Sequence, residues 1–395
     1  MNTETTSLTD AKLKRQLQGL AGKALRQGFS IALWRMPLSQ EIHLMVSENC
    51  ELLDEFIIEE SKPGFILAPF TKSEKKVFLS ADHHFIFRGQ EVILNRGHVF
   101  SLSDSETDKT PEFYFNPETF QEDTSSYDDT GIQYKRLVSD CIFHIRNGKF
   151  EKVVPTRRKR INFPDGKDLI KFFCDLCDQY SNAMVSLVST PVSGTWVGAT
   201  PEILLSINQN KIFRTVALAG TQPYNPDIPI DKVSWTQKEI EEQALVERYI
   251  ISCFKKIRLR EFEETGPKTF RAGNLLHLRS DFSVSMNEVR YPNLGTVMLN
   301  LMHPTSAVCG MPLEPATDYL LRQEGYNRAF YTGFLGPVQL EQETSLFVNL
   351  RCMKWEKNQA WLYAGAGVTS DSIPELEYRE SEMKMETLHR LILHR

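Results

Sequence analysis

The chain has 395 residues, 41% of them hydrophobic, and its 46 basic and 51 acidic side chains leave a net charge of −5. That size buries a large core in one or two units, while the mild acidity, without a dense basic run, speaks against nucleic acid as a partner. No apolar run reaches the ~18 residues that a membrane span requires, and seven scattered cysteines, an odd number, fit reduced thiols in a cytoplasmic protein better than a disulfide framework.

The polar opening, residues 1–10, has no apolar stretch ending in small residues, so no secretory signal is expected. Residues 10–28 carry leucines and basic charges at helical spacing and predict an amphipathic helix. From Phe29 to about Phe100, short apolar runs at 30–35, 41–46, 64–70 and 91–94 are broken by polar turns and read as strands. His83 and His84 lie among them. Neighbours on a strand point to opposite faces, so they are not taken as a metal pair. The acidic, Ser/Thr-rich stretch 101–130 reads as a loop or linker.

A helix is predicted at 133–147, then a strand that opens on Lys152, then a helix at 167–181. Its Cys174 and Cys177 share the buried face, which favours core packing over zinc or redox chemistry. The basic run Arg157 to Arg160 fits a solvated strand edge or substrate-facing arginines. Strands at 183–188, 194–199 and 203–207, a helix at 236–258, further strands and a closing helix complete the chain. Blocks of strands with helices between blocks, without regular βαβ alternation, predict an α+β fold with large mixed or antiparallel sheets.

Several residues look chemical. After the apolar strand at Tyr363, the Gly365-Ala-Gly367 loop frees backbone N–H groups that can face an anion. The helix that follows is predicted to start with a capping box of Ser372 and Glu375 around Pro374. Glu377 and Glu380 share one face of it, and Glu239 and Glu242 repeat the spacing near the start of the 236–258 helix. Each pair alone also fits a solvated acidic helix start, and Glu239 also fits a capping box with Thr236. If the two helices face each other, four carboxylates converge, a set suited to octahedral Mg²⁺.

Lys152, at the head of an apolar strand, either reaches the sheet edge or stays partly desolvated as a base. Glu202, where a turn feeds an apolar strand, either ends the turn or holds a proton for donation. Thr221 follows a glycine turn, His303 heads a loop of small residues, and Arg351 ends a strand, placed to clamp a carboxylate.

Taken in order, Gly-Ala-Thr-Pro-Glu202, Ala-Leu-Ala-Gly-Thr221, Glu239-x-x-Glu242, His277-Leu, His303-Pro-Thr, Tyr331-x-Gly333, Leu350-Arg351, Ala-Gly-Ala-Gly367 and Glu377-x-x-Glu380 with Lys384 resemble the chorismate-utilising enzymes over roughly residues 130–390. The resemblance implies two stacked antiparallel sheets with helices outside and the active site between them. Residues 1–110 would form an N-terminal strand-rich lobe of the same fold, and 130–390 the chorismate-binding region.

Lysine at 152 resembles the water-using branch, since the ammonia-using anthranilate and aminodeoxychorismate synthases carry glutamine there. Ala219 stands where some aminodeoxychorismate synthases place a nucleophilic lysine, and His303-Pro-Thr resembles isochorismate synthases. By that resemblance Lys152 activates the water that attacks C2 of chorismate, and Glu202 protonates the departing C4 hydroxyl. Glu242 and Glu380 hold Mg²⁺ directly, with Glu239 and Glu377 acting through waters. Arg351, the Gly365 backbone and Lys384 position carboxylates, and Thr221, His303 and Tyr331 line the site.

The implied activity is an isomerase for menaquinone or, second, siderophore synthesis, working as a monomer or homodimer without a glutamine amidotransferase subunit. The alternatives are a salicylate or anthranilate synthase and a catalytically silent chorismate-binding protein. Gln243, Asn327, Ala329, Cys309, Ser381 and the Val-Pro-Thr-Arg-Arg run after Lys152 depart from the usual pattern.

Overall fold

The computed structural model describes residues 11–89, 91–97, 112–115, 131–164, 166–272, 275–289 and 291–393. The loop expected at 101–130 lies outside them, apart from 112–115. Helix α1 (Ala11–Arg26) is followed by β1 (Ser30–Arg35), β2 (Glu41–Ser47), β3 (Cys50–Leu53), β4 (Gly64–Ala68), β5 (Lys76–Ser80), β6 (His83–Arg88) and β7 (Glu91–Arg96). Next come α2 (Ile132–Arg146), β8 (Lys152–Val153), β9 (Thr156–Asn162), α3 (Leu169–Gln179), β10 (Met184–Thr190), β11 (Gly194–Thr200), β12 (Ile203–Ile207), β13 (Ile212–Pro223) and α4 (Gln237–Lys256). The chain closes with β14 (Glu263–Ala272), β15 (Leu275–Ser285), α5 (Leu294–Met302), β16 (Gly310–Met311), α6 (Leu313–Gln323), β17 (Phe334–Val338), β18 (Thr344–Val348), β19 (Cys352–Glu356), β20 (Gln359–Gly365) and α7 (Pro374–Leu393).

Among the described residues the strands form two nine-stranded sheets and a small third one. The first runs β7-β6-β2-β1-β10-β11-β19-β20-β9, the second β14-β15-β13-β12-β18-β17-β4-β5-β3, and β16 pairs with β8. The pairings are antiparallel. The fold is therefore α+β with large antiparallel sheets.

Strand alternation shows how the layers stack. Ile31 and Leu33 of β1 join a core shared with α1, α3 and α7, whereas Ala32 and Trp34 point the other way. There they meet Phe65 and Leu67 of β4, whose neighbours Ile66 and Ala68 face a third core under α4 and α5. A period of two thus puts one set of side chains between the sheets and the other under helices. In α1, Leu13, Leu17, Leu20 and Leu25 supply the helical stripe. In α3, Asp168 caps the start by accepting from Ile170 N at 2.7 Å, and Cys174 and Cys177 are buried in the same core.

His83 and His84 do part company. His84 stacks on Trp34 between the sheets and approaches His43 at 3.1 Å, while His83 pairs with Glu48 at 3.2 Å.

Candidate active site

Where the second half of the chain brings the two sheets together, a pocket opens, with Glu202, Thr221, Glu242, Tyr331, Arg351 and Lys384 on its walls. The β13–β15 ladder slips register between Ala219 and Gln222, leaving Gly220 at φ 63 and Thr221 turned to the pocket. A bulge of this kind re-aims side chains without ending the strand. Gln243 fixes α4 against it, accepting from Ala219 N at 2.9 Å and donating to Ala217 O at 3.2 Å. The next residue back, Glu242, thereby reaches the pocket wall.

Opposite, Tyr331 stacks on Tyr363 at 5.2 Å, and Tyr363 on Trp196 at 5.4 Å, giving one wall a run of aromatic rings.

Lys152 comes from β8, which is pinned on both sides. It pairs with β16, and Val153 exchanges two backbone bonds with Val368, at 3.2 and 2.8 Å. The Lys152 side chain is fully buried and its ammonium lies 2.9 Å from Glu242. Gly367 permits this approach, because a Cβ there would stand 2.2 Å from the Glu242 Oε1 and 3.0 Å from Lys152 Cε. Burial pushes Glu242 up, but Lys152, Lys238 and Lys384 more than offset it, so its carboxyl stays below the ordinary value.

Glu202 follows β11 through Pro201. Burial raises its pKa to about 7, against the opposing pull of Lys152, Lys384, Thr305 and Arg351. A carboxyl in that range holds and releases a proton near neutrality. Lys384 donates to the Gly365 carbonyl at 2.9 Å and pairs with Glu380 at 2.7 Å, so helix α7 and the glycine loop share one cation.

The acidic helices α4 and α7 do meet, through one lysine. Lys238 of α4 lies 2.7 Å from the buried Glu377 of α7. Burial and the neighbouring Glu380 raise Glu377, and Lys238 and Ser372 pull it back in part. Glu239 closes the capping box with Thr236, accepting from its N–H at 2.9 Å. Among the described residues no three acidic, histidine or cysteine side chains converge on one point. The four carboxylates stand as two helix-borne pairs, linked from helix to helix by Lys238, rather than as a closed cage.

Of the residues singled out in the sequence, Glu202, Glu242, Thr221, Tyr331, Arg351, Gly365 and Lys384 line this pocket, and Lys152 touches it through Glu242. His303 does not join them. It ends α5, bonds the Pro69 carbonyl at 3.0 Å and lies edge-on to Phe334, lining another pocket with Lys72 and Lys76.

The predicted capping box of Ser372 and Glu375 does not form. Ser372 Oγ accepts from Thr369 N at 3.1 Å, Glu375 turns to Lys135 at 3.2 Å, and Pro374 opens the helix, where its missing N–H costs nothing. Arg157 and Arg158 sit on an edge strand, yet both are buried. The Arg157 guanidinium packs over Tyr378 and pairs with Glu382, and that of Arg158 lies 4.4 Å from the Trp361 ring centre.

Two residues carry more than their sequence context suggested. His277 donates from Nδ1 to the Gly220 carbonyl at 2.9 Å, which leaves Nε2 without a partner among the described residues, on the pocket wall. Burial drives its pKa down to about 3, so the ring is neutral and Nε2 is an acceptor. The other is Lys238, an ordinary helical lysine in the sequence. Only the pairing of α4 with α7 gives it a role.

The sequence profile of the family described as chorismate binding enzyme matches residues 76–393. The isochorismate synthase DhbC of Bacillus subtilis is 28% identical over 271 residues, 65% of this chain and 67% of that one. The isochorismate synthase EntC of Escherichia coli is 29% identical over 200 residues, so the match spans 49% of this chain and only half the length of that relative. Among solved structures, MenF, the menaquinone-specific isochorismate synthase from Escherichia coli, superposes with a TM-score of 0.75 at 22% identity, covering 95% of this chain and 91% of that one. That likeness is one of fold.

Proposed function

The chain belongs to the chorismate binding enzyme family, and from that premise we propose that it is an isochorismate synthase, an isomerase that moves the ring hydroxyl of chorismate from C4 to C2. The observation that carries the reading is one pocket holding a buried carboxyl with a pKa of about 7, Glu202, together with the carboxylate to which the buried Lys152 ammonium is paired. In the neutral form Lys152 takes a proton from the attacking water as the C2–O bond forms. The two ring double bonds shift, the C4–O bond breaks, and Glu202 gives a proton to the departing hydroxyl. One proton is gained and one is lost, so the step changes no net charge in the pocket.

Arg351 and Lys384 are the cations placed to bind the two carboxylates of the substrate, and Thr221 and Tyr331 flank the ring. His277 Nε2 offers a neutral acceptor to a hydroxyl.

Mg²⁺ fits the donor set, because α4 and α7 present carboxylates, the hard oxygen ligands this ion prefers, and their present partners are themselves cations. Glu242 and Glu380 would hold it, with Glu239 and Glu377 behind them through waters. When bound it supplies charge compensation for a substrate carboxylate.

The test is product analysis by chromatography after incubation with chorismate and Mg²⁺. Isochorismate is the expected product. Salicylate with pyruvate, or anthranilate when ammonia is added, replaces this reading with another member of the family, and no consumption of chorismate reduces it to a binding protein. Supply of menaquinone synthesis is the pathway reading, checked by restoring menaquinone to a bacterial strain that lacks its own isochorismate synthase.

A further inference from the structure

Each carboxylate of the α4–α7 cluster has its own partner. Glu242 has Lys152 at 2.9 Å, Glu380 has Lys384 at 2.7 Å, and Glu239 is spent on its own helix start. Lys238 differs from the other two lysines in where its partner lies, since Lys152 pairs with the pocket-lining Glu242 and Lys384 pairs within its own helix, whereas Lys238 of α4 pairs with a carboxylate of α7. Its ammonium donates to Glu377 at 2.7 Å, across the gap between the two acidic helices. Glu377 is 1% exposed, so its charge cannot be left to solvent.

We propose that Lys238 is a tethered counter-ion that competes with the divalent ion for Glu377, so that loading the metal site displaces this ammonium from α7. This rests on the metal site assigned above and adds how that site is regulated. Two positive charges cannot share one carboxylate without repulsion in a partly buried setting. The lysine therefore keeps the helices together when metal is absent and sets a ceiling on metal affinity when it is present, a reciprocal coupling between the two cations.

Mg²⁺ binding by isothermal titration calorimetry, and the Mg²⁺-induced rise in melting temperature, test this on the full chain. Lys238→Met keeps the length of the side chain and removes its charge. It is expected to bind Mg²⁺ about tenfold more tightly than the wild type, to melt lower without metal and to recover that loss when metal is added. Lys238→Arg retains the charge and is expected to keep the wild-type affinity and melting behaviour. Equal or weaker Mg²⁺ binding by Lys238→Met, beside saturable binding by the wild type, overturns the competition while leaving the metal site in place. A Glu242→Gln variant separates the two failures: if it binds Mg²⁺ as the wild type does, or if the wild type shows no saturable binding, the metal site itself is misassigned and the competition falls with it.

Discussion

Replacing Glu202 by glutamine should make the protein more stable and nearly inactive, and the stability gain should depend on pH. The ordinary carboxyl pKa of 4.5 is raised to about 7 in the fold, chiefly by burial. Between those values the unfolded chain has lost the proton and the folded one still holds it, so stability falls as pH rises through that window. At pH 5 the cost is about 1 kcal/mol, and at pH 8 it is a little over 3 kcal/mol, from about 1.36 kcal/mol for each pKa unit.

Glutamine has no such titration. The stability difference between variant and wild type, measured by urea denaturation, should therefore widen in the variant's favour by roughly 2 to 2.5 kcal/mol between pH 5 and pH 8. Turnover of chorismate should drop by ~10²–10⁴-fold in the same variant, the usual effect of losing a general acid. A stability gap that stays constant between the two pH values would mean that Glu202 is not held protonated by its surroundings, and the acid in the proposed reaction would have to be sought elsewhere.

Lys152→Gln, which keeps a polar side chain but cannot accept the water proton, should lower turnover by ~10²–10⁴-fold with the circular dichroism spectrum unchanged; near-normal rates would remove Lys152 from the chemistry. Gly367→Ala places a methyl group 2.2 Å from the Glu242 Oε1, pushing that carboxylate off Lys152, and should cost about ten- to a hundredfold in turnover; an unaffected rate would show that the Lys152–Glu242 contact has no bearing on catalysis. Ala329 holds φ 47, a left-handed conformation that costs an L-residue more than glycine, so Ala329→Gly should stabilise the fold by about 0.5–1 kcal/mol in urea titrations.

Much of this site was written locally. The spacing of Glu239 and Glu242, and of Glu377 and Glu380, fixed their helical faces, and the apolar strand before Gly365 marked the loop that β20 delivers to the pocket. What local pattern does not encode is who faces whom. The partnership of β1 with β10 joins Ile31 to Ser189 across more than a hundred and fifty positions, and neither periodicity nor turn chemistry announces it.

His303 was misplaced for the same reason. Its polar ring finds the Pro69 carbonyl, a group supplied by a distant loop, so it points away from the pocket that its motif suggested. The arginines of β9 looked solvated because only tertiary packing brings Tyr378 and Trp361 over them. Lys238 passed unnoticed because a lysine on a helix is unremarkable until an acid from another helix is known to sit 2.7 Å away.

The order of strands has a practical bearing on how this protein can be handled. Four early strands form one flank of the first sheet, ending at the β1–β10 seam, and three form the corresponding flank of the second, ending at β4–β17. A shortened version starting near residue 131 would retain every group assigned to the chemistry and yet bare two raw edges, Met184–Thr190 and Phe334–Val338, both wholly buried in the full chain and both then open to pairing with other molecules. Trimming for crystallisation or fusion should thus be confined to the ends of the chain, because the front portion serves as the splint that keeps the catalytic half from clumping.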